Sequence, residues 1–384
     1  TTYYAAAPLS ALNPALSGLI ASTWEDLGRA WHAKDARSAS AALNQLAATL
    51  ASIAPGLYPS LARRGWEHWY YAWDKLTFAW LIYFLALPFL LMATVYGFRW
   101  ARRTGLVLFG AGLAIHTFSI ALRWWLAGRI PNSNMFEAVT ASAWFGGVVA
   151  LALELFLRRW PVKNLPSLAA SIYAMLALMT GKFLPIVLPG AFSSDISTVM
   201  PVLDRTVWLY IHTNMVISSY ALIFFGAVTA LMYLGFRFAV RLAPGGRLEA
   251  LWAGASGPAA VKGGAAAIIL RRGMTEGETP AAGLARSLDG ATMIFLELAF
   301  VTLWVGTILG AVWAYFSWGR PWGWDPKEVF ALNTWLVFLV LVHVRLKVKD
   351  KAFWTAVLAV VGCAVMLFNW IAVNFVIVGL HSYA

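Results

Sequence analysis

The fold class predicted from this 384-residue sequence is an all-α, polytopic integral membrane bundle of about eight transmembrane helices, preceded by a small helical region. Three observations predict it. Hydrophobic residues make up 61% of the chain and charged residues only 12%, with a mean hydropathy of +0.70, where soluble domains carry roughly a quarter charged residues. From residue 77 onward, eight mainly apolar runs follow one another, each near the ~20 residues needed to cross a bilayer core. Basic clusters flank alternate ends of those runs, the pattern that orients multi-pass proteins with their positive loops inside.

The elements follow in order. Residues 1–76 are more polar and alanine-rich and are expected to form a helical cap of two or three short amphipathic helices. One is expected to start near Thr23, a capping residue ahead of Glu25 and Asp26, and another near Asp35. Trp24, Leu27 and Trp31 are spaced to share one helix face. Residues 77–384 hold the spans, at about 77–98, 105–126, 138–157, 166–184, 207–236, 291–316, 328–346 and 352–378. Arg99, Arg102 and Arg103, then Arg158, Arg159 and Lys163, then Arg237, Arg241, Arg247, Arg271 and Arg272, and finally Arg345, Lys347, Lys349 and Lys351 mark one side. By the positive-inside rule that side is cytoplasmic and both termini lie outside, in the periplasm or its equivalent. The Gly-, Ala- and Pro-rich stretch 238–289 is then a cytoplasmic loop.

Composition also excludes several function classes. The net charge of +12 sits in short clusters beside apolar runs, which suits membrane lipid headgroups and topology and not nucleic acid. A single cysteine, Cys363, rules out a disulfide framework or a Cys-rich metal site within the chain. No Cys-x-x-Cys-His occurs, so the chain cannot carry covalent c-type haem of its own. It opens on Thr1, from which residues further upstream are expected.

One stretch stands apart from the apolar pattern. Trp318-Gly-Arg-Pro-Trp322-Gly-Trp324-Asp325-Pro-Lys-Glu328, in a loop over 317–328 on the periplasmic side, concentrates indole, glycine and charge between two spans. An interfacial aromatic belt is one reading. The other is a site for a large planar ligand with charged edges, the indoles lying on its faces and Arg320 and Lys327 pairing its carboxylates. Asp325-Pro326 has the form of a helix cap followed by a first-turn proline.

The order W-G-x-x-W-x-W-D-P-K-E, with Ala331-Leu-Asn-Thr-Trp335, resembles the tryptophan-rich WWD signature of haem-handling membrane proteins, in particular the CcsA/ResC family of cytochrome c biogenesis. The resemblance covers about Trp80 to the end of the chain. It takes in Arg123-Trp124, Gly128, Pro131-x-Ser133-Asn134-x-x-Glu137, the segment around His212, His343, and Gly379-Leu-His381. It implies that His212 and His381 are axial ligands to one haem iron on the outer side, two imidazoles making a six-coordinate site. It implies that His343 ligates a second, intramembrane haem, its partner ligand usually coming from a CcsB/ResB-type membrane subunit. For His116, mid-span, two readings stay open: a satisfied polar residue bonded to a hydroxyl such as Thr117, or the second ligand of the inner haem. Glu297 is a candidate to orient His343. Arg123 or Arg129 could join Arg320 and Lys327 on the propionates, with Asp325 and Glu328 holding these cations or the loop, and Asn132, Asn134 and Glu137 closing the pocket.

The implied activity is delivery of haem b across the membrane and its attachment to apocytochrome c through thioether bonds at Cys-x-x-Cys-His, a haem lyase or synthase chemistry with no nucleophile in this chain. A haem exporter without ligation activity, a b-type electron-transfer subunit and a structural subunit are the alternatives.

Overall fold

The computed structural model describes residues 13–53, 59–131, 133–188, 192–196, 207–242, 280–377 and 379. It separates into two compact units, Thr1–Ala72 and Trp73–Ala384. Every regular element among the described residues is helical.

The first unit contains α1 (Pro14–His32), α2 (Ala36–Ile53) and α3 (Leu61–Ala72). The start expected near Thr23 is incorrect. Asn13 caps α1 by accepting from the Ala15 amide at 3.0 Å, and Pro14 opens the helix. Thr23 lies inside α1, its hydroxyl turned back onto Leu19 O at 2.7 Å. The start near Asp35 holds, with that carboxylate accepting from Arg37 N and Ser38 N at 3.0 and 3.2 Å. Small residues form the α1–α2 contact: Thr23 and Ala30 are buried, whereas Trp24 and Trp31 are 65% and 75% exposed.

The second unit carries eight helices long and apolar enough to cross a membrane. They are α4 (Lys75–Tyr96), α5 (Arg99–Ala127), α6 (Met135–Phe156), α7 (Leu165–Val187), α8 (Val207–Leu242), α9 (Pro280–Trp318), α10 (Pro326–Lys347) and α11 (Lys351–Phe375). The polytopic bundle expected from composition is therefore observed. Helices α4–α7 pack on one another, as do α8–α11, and α6 and α7 lean on α8 to join the two groups. Close approach depends on small residues: α6 buries Ala141, Ala143, Gly146, Gly147 and Ala150, and α7 buries Ala169, Ala170, Ala174 and Gly181. In lipid, where helices gain no hydrophobic drive from meeting, such residues let backbones come into van der Waals contact.

Two boundaries differ from expectation. Helix α8 continues to Leu242 and α9 begins at Pro280, so part of the stretch read as loop is helix. The polar ends add turns that a hydropathy window does not register. The remainder of that stretch, 243–279, lies outside the described residues.

Some of the basic residues read as topology markers also hold the bundle together. Arg102 donates to Glu154 Oε1 at 3.0 Å and to Asn164 Oδ1 at 2.8 Å, and Glu154 also accepts from Asn164 N at 2.9 Å. Arg345 is buried and grips Asp289 with two bonds of 2.8 and 2.7 Å while reaching Thr355 at 2.7 Å. These pairs tie α5 to α6 and α10 to α9 and α11 at the same end of the bundle. Buried charge persists there because each group has its partner.

Candidate functional site

At the opposite end, the helix termini surround a cavity of about 270 Å³. Its wall takes one or more residues from the α5–α6 connection, the starts of α6, α8 and α10, the ends of α9 and α11, and the Trp-rich loop. Among them are His212, Arg129, Trp313, Trp322, Lys327 and Glu328. Four stretches remote in sequence thus meet in one place.

His212 enters from α8. Its Nδ1 lies 2.7 Å from Gly306 O on α9. The ring is parallel to Trp313, at 6.5 Å between centroids and 8° between planes. Trp313 is buried and is braced edge-on by Trp318 at 4.8 Å. Trp318 therefore supports the wall without forming it.

The Trp-rich loop is held by its acidic residues. Glu328 accepts from the backbone N–H of Gly323 at 2.8 Å and of Asp325 at 3.1 Å, while Asp325 accepts from Lys327 N at 3.1 Å. This reciprocal cap fixes the start of α10. Of the two roles open to Asp325 and Glu328, these bonds serve the loop. Asp325 is buried, and a Cβ built on Gly379 would fall 2.5 Å from its Oδ1 and 3.0 Å from Pro326 Cδ. Gly379 thus sits against the α10 cap, where a side chain would force Asp325 to shift. His381, two residues on, lies outside the described residues, as does Asn132.

Of the three tryptophans and two cations of the motif, Trp322 and Lys327 line the cavity. Trp324 is 73% exposed and stands edge-on to Trp322 at 5.9 Å. Its φ of +56° is rare for a bulky residue. Arg320 is exposed and folded over Gly323, where a Cβ would sit 3.1 Å from its guanidinium carbon. Gly319 at φ +71° and Trp324 at φ +56° turn the backbone within the loop, and the Trp322 and Trp324 planes stand 89° apart.

Arg129 reaches the wall where Arg123 does not. Arg123 is 1% exposed and committed to Glu137 at 2.9 Å and to the carbonyls of Ser194 and Asp195 at 2.8 and 2.9 Å. Glu137, fully buried, also accepts from Arg129 Nη1 at 2.7 Å and from Ser133 N and Oγ at 2.9 Å each. Asn134 caps α6 by accepting from Glu137 N at 2.8 Å. Glu137 is thus the anchor of the rim and not part of its closure.

The two remaining histidines lie away from the cavity. His116 is fully enclosed between α5 and α6, with Nε2 3.1 Å from Thr140 O; Thr117 instead bonds Leu113 O and accepts from Trp144. The His116 Nδ1 has no partner among the described residues. His343 is on the exposed face of α10, its Nδ1 2.7 Å from Leu339 O, one turn earlier in the same helix. That bond, and not one to Glu297, orients the ring. Helix α5 packs on α4 and α6, and α10 on α11 and α9, so these two histidines do not form a facing pair.

The sequence reading missed Trp313, Gly306 and Gly310, and the polar residues Asn369 and Tyr220, bonded at 3.2 Å on the wall. Gly306-x-x-x-Gly310 is a small-residue packing motif, a pattern visible in the sequence.

The family model described as "Cytochrome C assembly protein" matches residues 132–381. The "Cytochrome c biogenesis protein CcsA" of Parasynechococcus marenigrum (strain WH8102) is 32% identical over 314 residues, 79% of this chain and 93% of the relative. CcsA of Synechococcus sp. (strain CC9311) is 32% identical over 309 residues, 80% of this chain and 95% of its own. CcsA of Prochlorococcus marinus (strain NATL2A) is 30% identical over 269 residues, 70% and 80% respectively. The match begins at the α5–α6 rim and runs through every later segment that walls the cavity, and on that extent the chain belongs to the cytochrome c assembly protein family, among its CcsA members, with a role in cytochrome c maturation.

Proposed function

We propose that this protein receives haem b as its substrate, displays it in the cavity at the Trp-rich end, and directs its covalent attachment to apocytochrome c as the CcsA-type subunit of a cytochrome c synthase. The observation that carries this reading is His212, an imidazole on the cavity wall whose Nδ1 is engaged by a backbone carbonyl and whose ring is backed by Trp313. A carbonyl oxygen only accepts, so Nδ1 holds the proton and Nε2 the lone pair, the state in which imidazole ligates iron. His381 is proposed as the second axial ligand.

The rest of the wall suits the same substrate. Trp313 and Trp322 supply apolar and stacking surface, and Lys327 and Arg129 place cations where carboxylates of the bound molecule would lie. Arg129 is oriented by Glu137 yet has N–H groups beyond those that carboxylate takes. In the proposed reaction each of two apocytochrome thiols adds across a haem vinyl group. An S–C and a C–H bond form as the S–H bond and the vinyl π bond are lost, so the addition consumes no oxidant or reductant. This chain's part is orientation and exclusion of water from the reacting edge.

His343 stands on an exposed face of α10, a helix long and apolar enough to cross a membrane. An ionisable side chain exposed in a span favours a functional contact there. We assign it to an inner haem shared with a CcsB/ResB-type subunit. The basic end is taken as cytoplasmic, which puts the cavity and both termini on the periplasmic side of an inner membrane.

The test is the visible spectrum of the purified protein beside His212→Ala and His381→Ala, each with and without imidazole. Loss of the low-spin signal in both variants and its return with imidazole is the expected result. Unperturbed bound haem in both would refute the displayed-haem reading.

A further inference from the structure

The contact between α8 and α9 is unusually close at one point, and a histidine occupies it. A Cβ built on Gly310 would fall 2.5 Å from His212 Cε1, 2.8 Å from Nδ1 and 3.1 Å from Nε2. Four residues earlier, a Cβ on Gly306 would fall 2.8 Å from Val216 Cγ2 and 3.2 Å from Val216 N. Real Cβ atoms essentially never come within 3.0 Å, so a side chain at either position would force His212 or Val216 to shift. The imidazole therefore lies in a notch one helical turn long, with Gly310 below its edge and Gly306 O at its Nδ1, 2.7 Å away. Trp313, three residues beyond Gly310, covers the ring as a parallel plane.

Each feature of the notch restricts a different freedom of the ring. Gly306 O selects the tautomer, because the carbonyl can only accept and Nδ1–H must donate. Within α9 that oxygen also faces the amide of Gly310, and its second lone pair is the one offered across the helix pair. Gly310 sets the depth of the ring against α9, and Trp313 sets its plane. A methyl group at position 310 would press on Cε1, the ring carbon between the two nitrogens.

We propose that Gly306 and Gly310 are positioning residues that hold His212 in its Nδ1–H tautomer and set its Nε2 toward the cavity. This rests on the reading of His212 as an iron ligand. Metal-bound histidines are commonly held in this way by a backbone carbonyl, and losing such support typically weakens metal binding by roughly 10- to 100-fold.

Two measurements on the full-length chain test it. The first needs no haem: ¹⁵N NMR of ring-labelled histidine, with the His212 resonances assigned by their loss in His212→Ala. A protonated Nδ1 and an unprotonated Nε2 are expected, and a protonated Nε2 overturns the proposal. The second is a titration with ferrous haem of Gly310→Ala, His212→Ala and Gly226→Ala. Gly226 is the packing control, on the same helix pair, where a built Cβ would lie 2.6 Å from Leu296 Cδ2 with no histidine involved. Gly310→Ala is expected to weaken haem binding at least tenfold and to lose the low-spin signature, while Gly226→Ala retains both. If His212→Ala loses the signature and Gly310→Ala keeps it, the positioning role fails and the ligand reading stands. If His212→Ala also keeps it, both fall. Should Gly310→Ala not fold, the tautomer measurement still decides.

Discussion

Removing the Glu137 carboxylate is the most informative single perturbation of the rim. Glu137 is fully buried and accepts from Arg123, Arg129 and Ser133 at 2.7–2.9 Å. Glu137→Ala takes the carboxylate partner from the Arg123 guanidinium, itself 1% exposed. Breaking a buried ion pair by deleting one partner costs about 3–5 kcal/mol, because the remaining charge stays desolvated. Replacing both partners by apolar residues of similar volume costs less. The double variant Arg123→Met/Glu137→Leu should therefore be more stable than Glu137→Ala alone. Arg129, whose side chain is 12% exposed, can turn to water, as can the carbonyls of the partly exposed Ser194 and Asp195. The assay is equilibrium unfolding in mixed micelles followed by tryptophan fluorescence, comparing wild type, both single variants and the double. A Glu137→Ala loss under about 1 kcal/mol, or a double variant less stable than that single one, would refute the reasoning.

Two further outcomes are expected. Tyr83 is completely buried on α4 with its hydroxyl unpartnered among the described residues, edge-on to His116 at 6.4 Å. Tyr83→Phe should be neutral or stabilising, by up to about 1–3 kcal/mol in thermal unfolding; a loss above ~1 kcal/mol would mean that the hydroxyl is bonded, for instance through a water to His116 Nδ1. Asp74, ahead of α4, has its carboxyl held below the usual range: partial burial, which would raise it, is outweighed by the Lys182 ammonium 2.7 Å away together with hydrogen bonds from Thr77. Its contribution is present above the unfolded carboxylate range and lost as pH falls through the lowered folded value. For a pair with side chains 46% and 33% exposed it stays under about 1 kcal/mol, so melting curves of wild type and Asp74→Asn should differ slightly at neutral pH and converge in acid. Curves equally separated at both would contradict it.

The bundle was legible because lipid imposes a one-dimensional rule: about 20 apolar residues per crossing, each helix satisfying its own backbone. The cap at Asp325 was equally local, since a cap engages amides two and three residues away. Arg123 shows where such reading stops. Its position beside an apolar run gave no means of knowing that Glu137, fourteen residues on, would take its guanidinium, leaving Arg129 at the wall. Trp324 and Arg320 share a motif with Trp322 but not its surroundings, because the backbone turns at Gly319 and Trp324 within the loop.

From the sequence alone came the membrane class, the eight crossings, the absence of a cysteine-based site and the motif that resembles CcsA proteins. These depend on composition and short-range pattern, which survive in any order of helix packing. The tertiary structure decided which residues meet. It paired His212 with Gly306 and Gly310 across some 94 positions, enclosed His116, turned His343 outward and selected Arg129 over Arg123. Such choices follow from the rotation and depth at which helices pack. Those are set by where small residues let two backbones touch, a property of pairs of helices that no single segment carries.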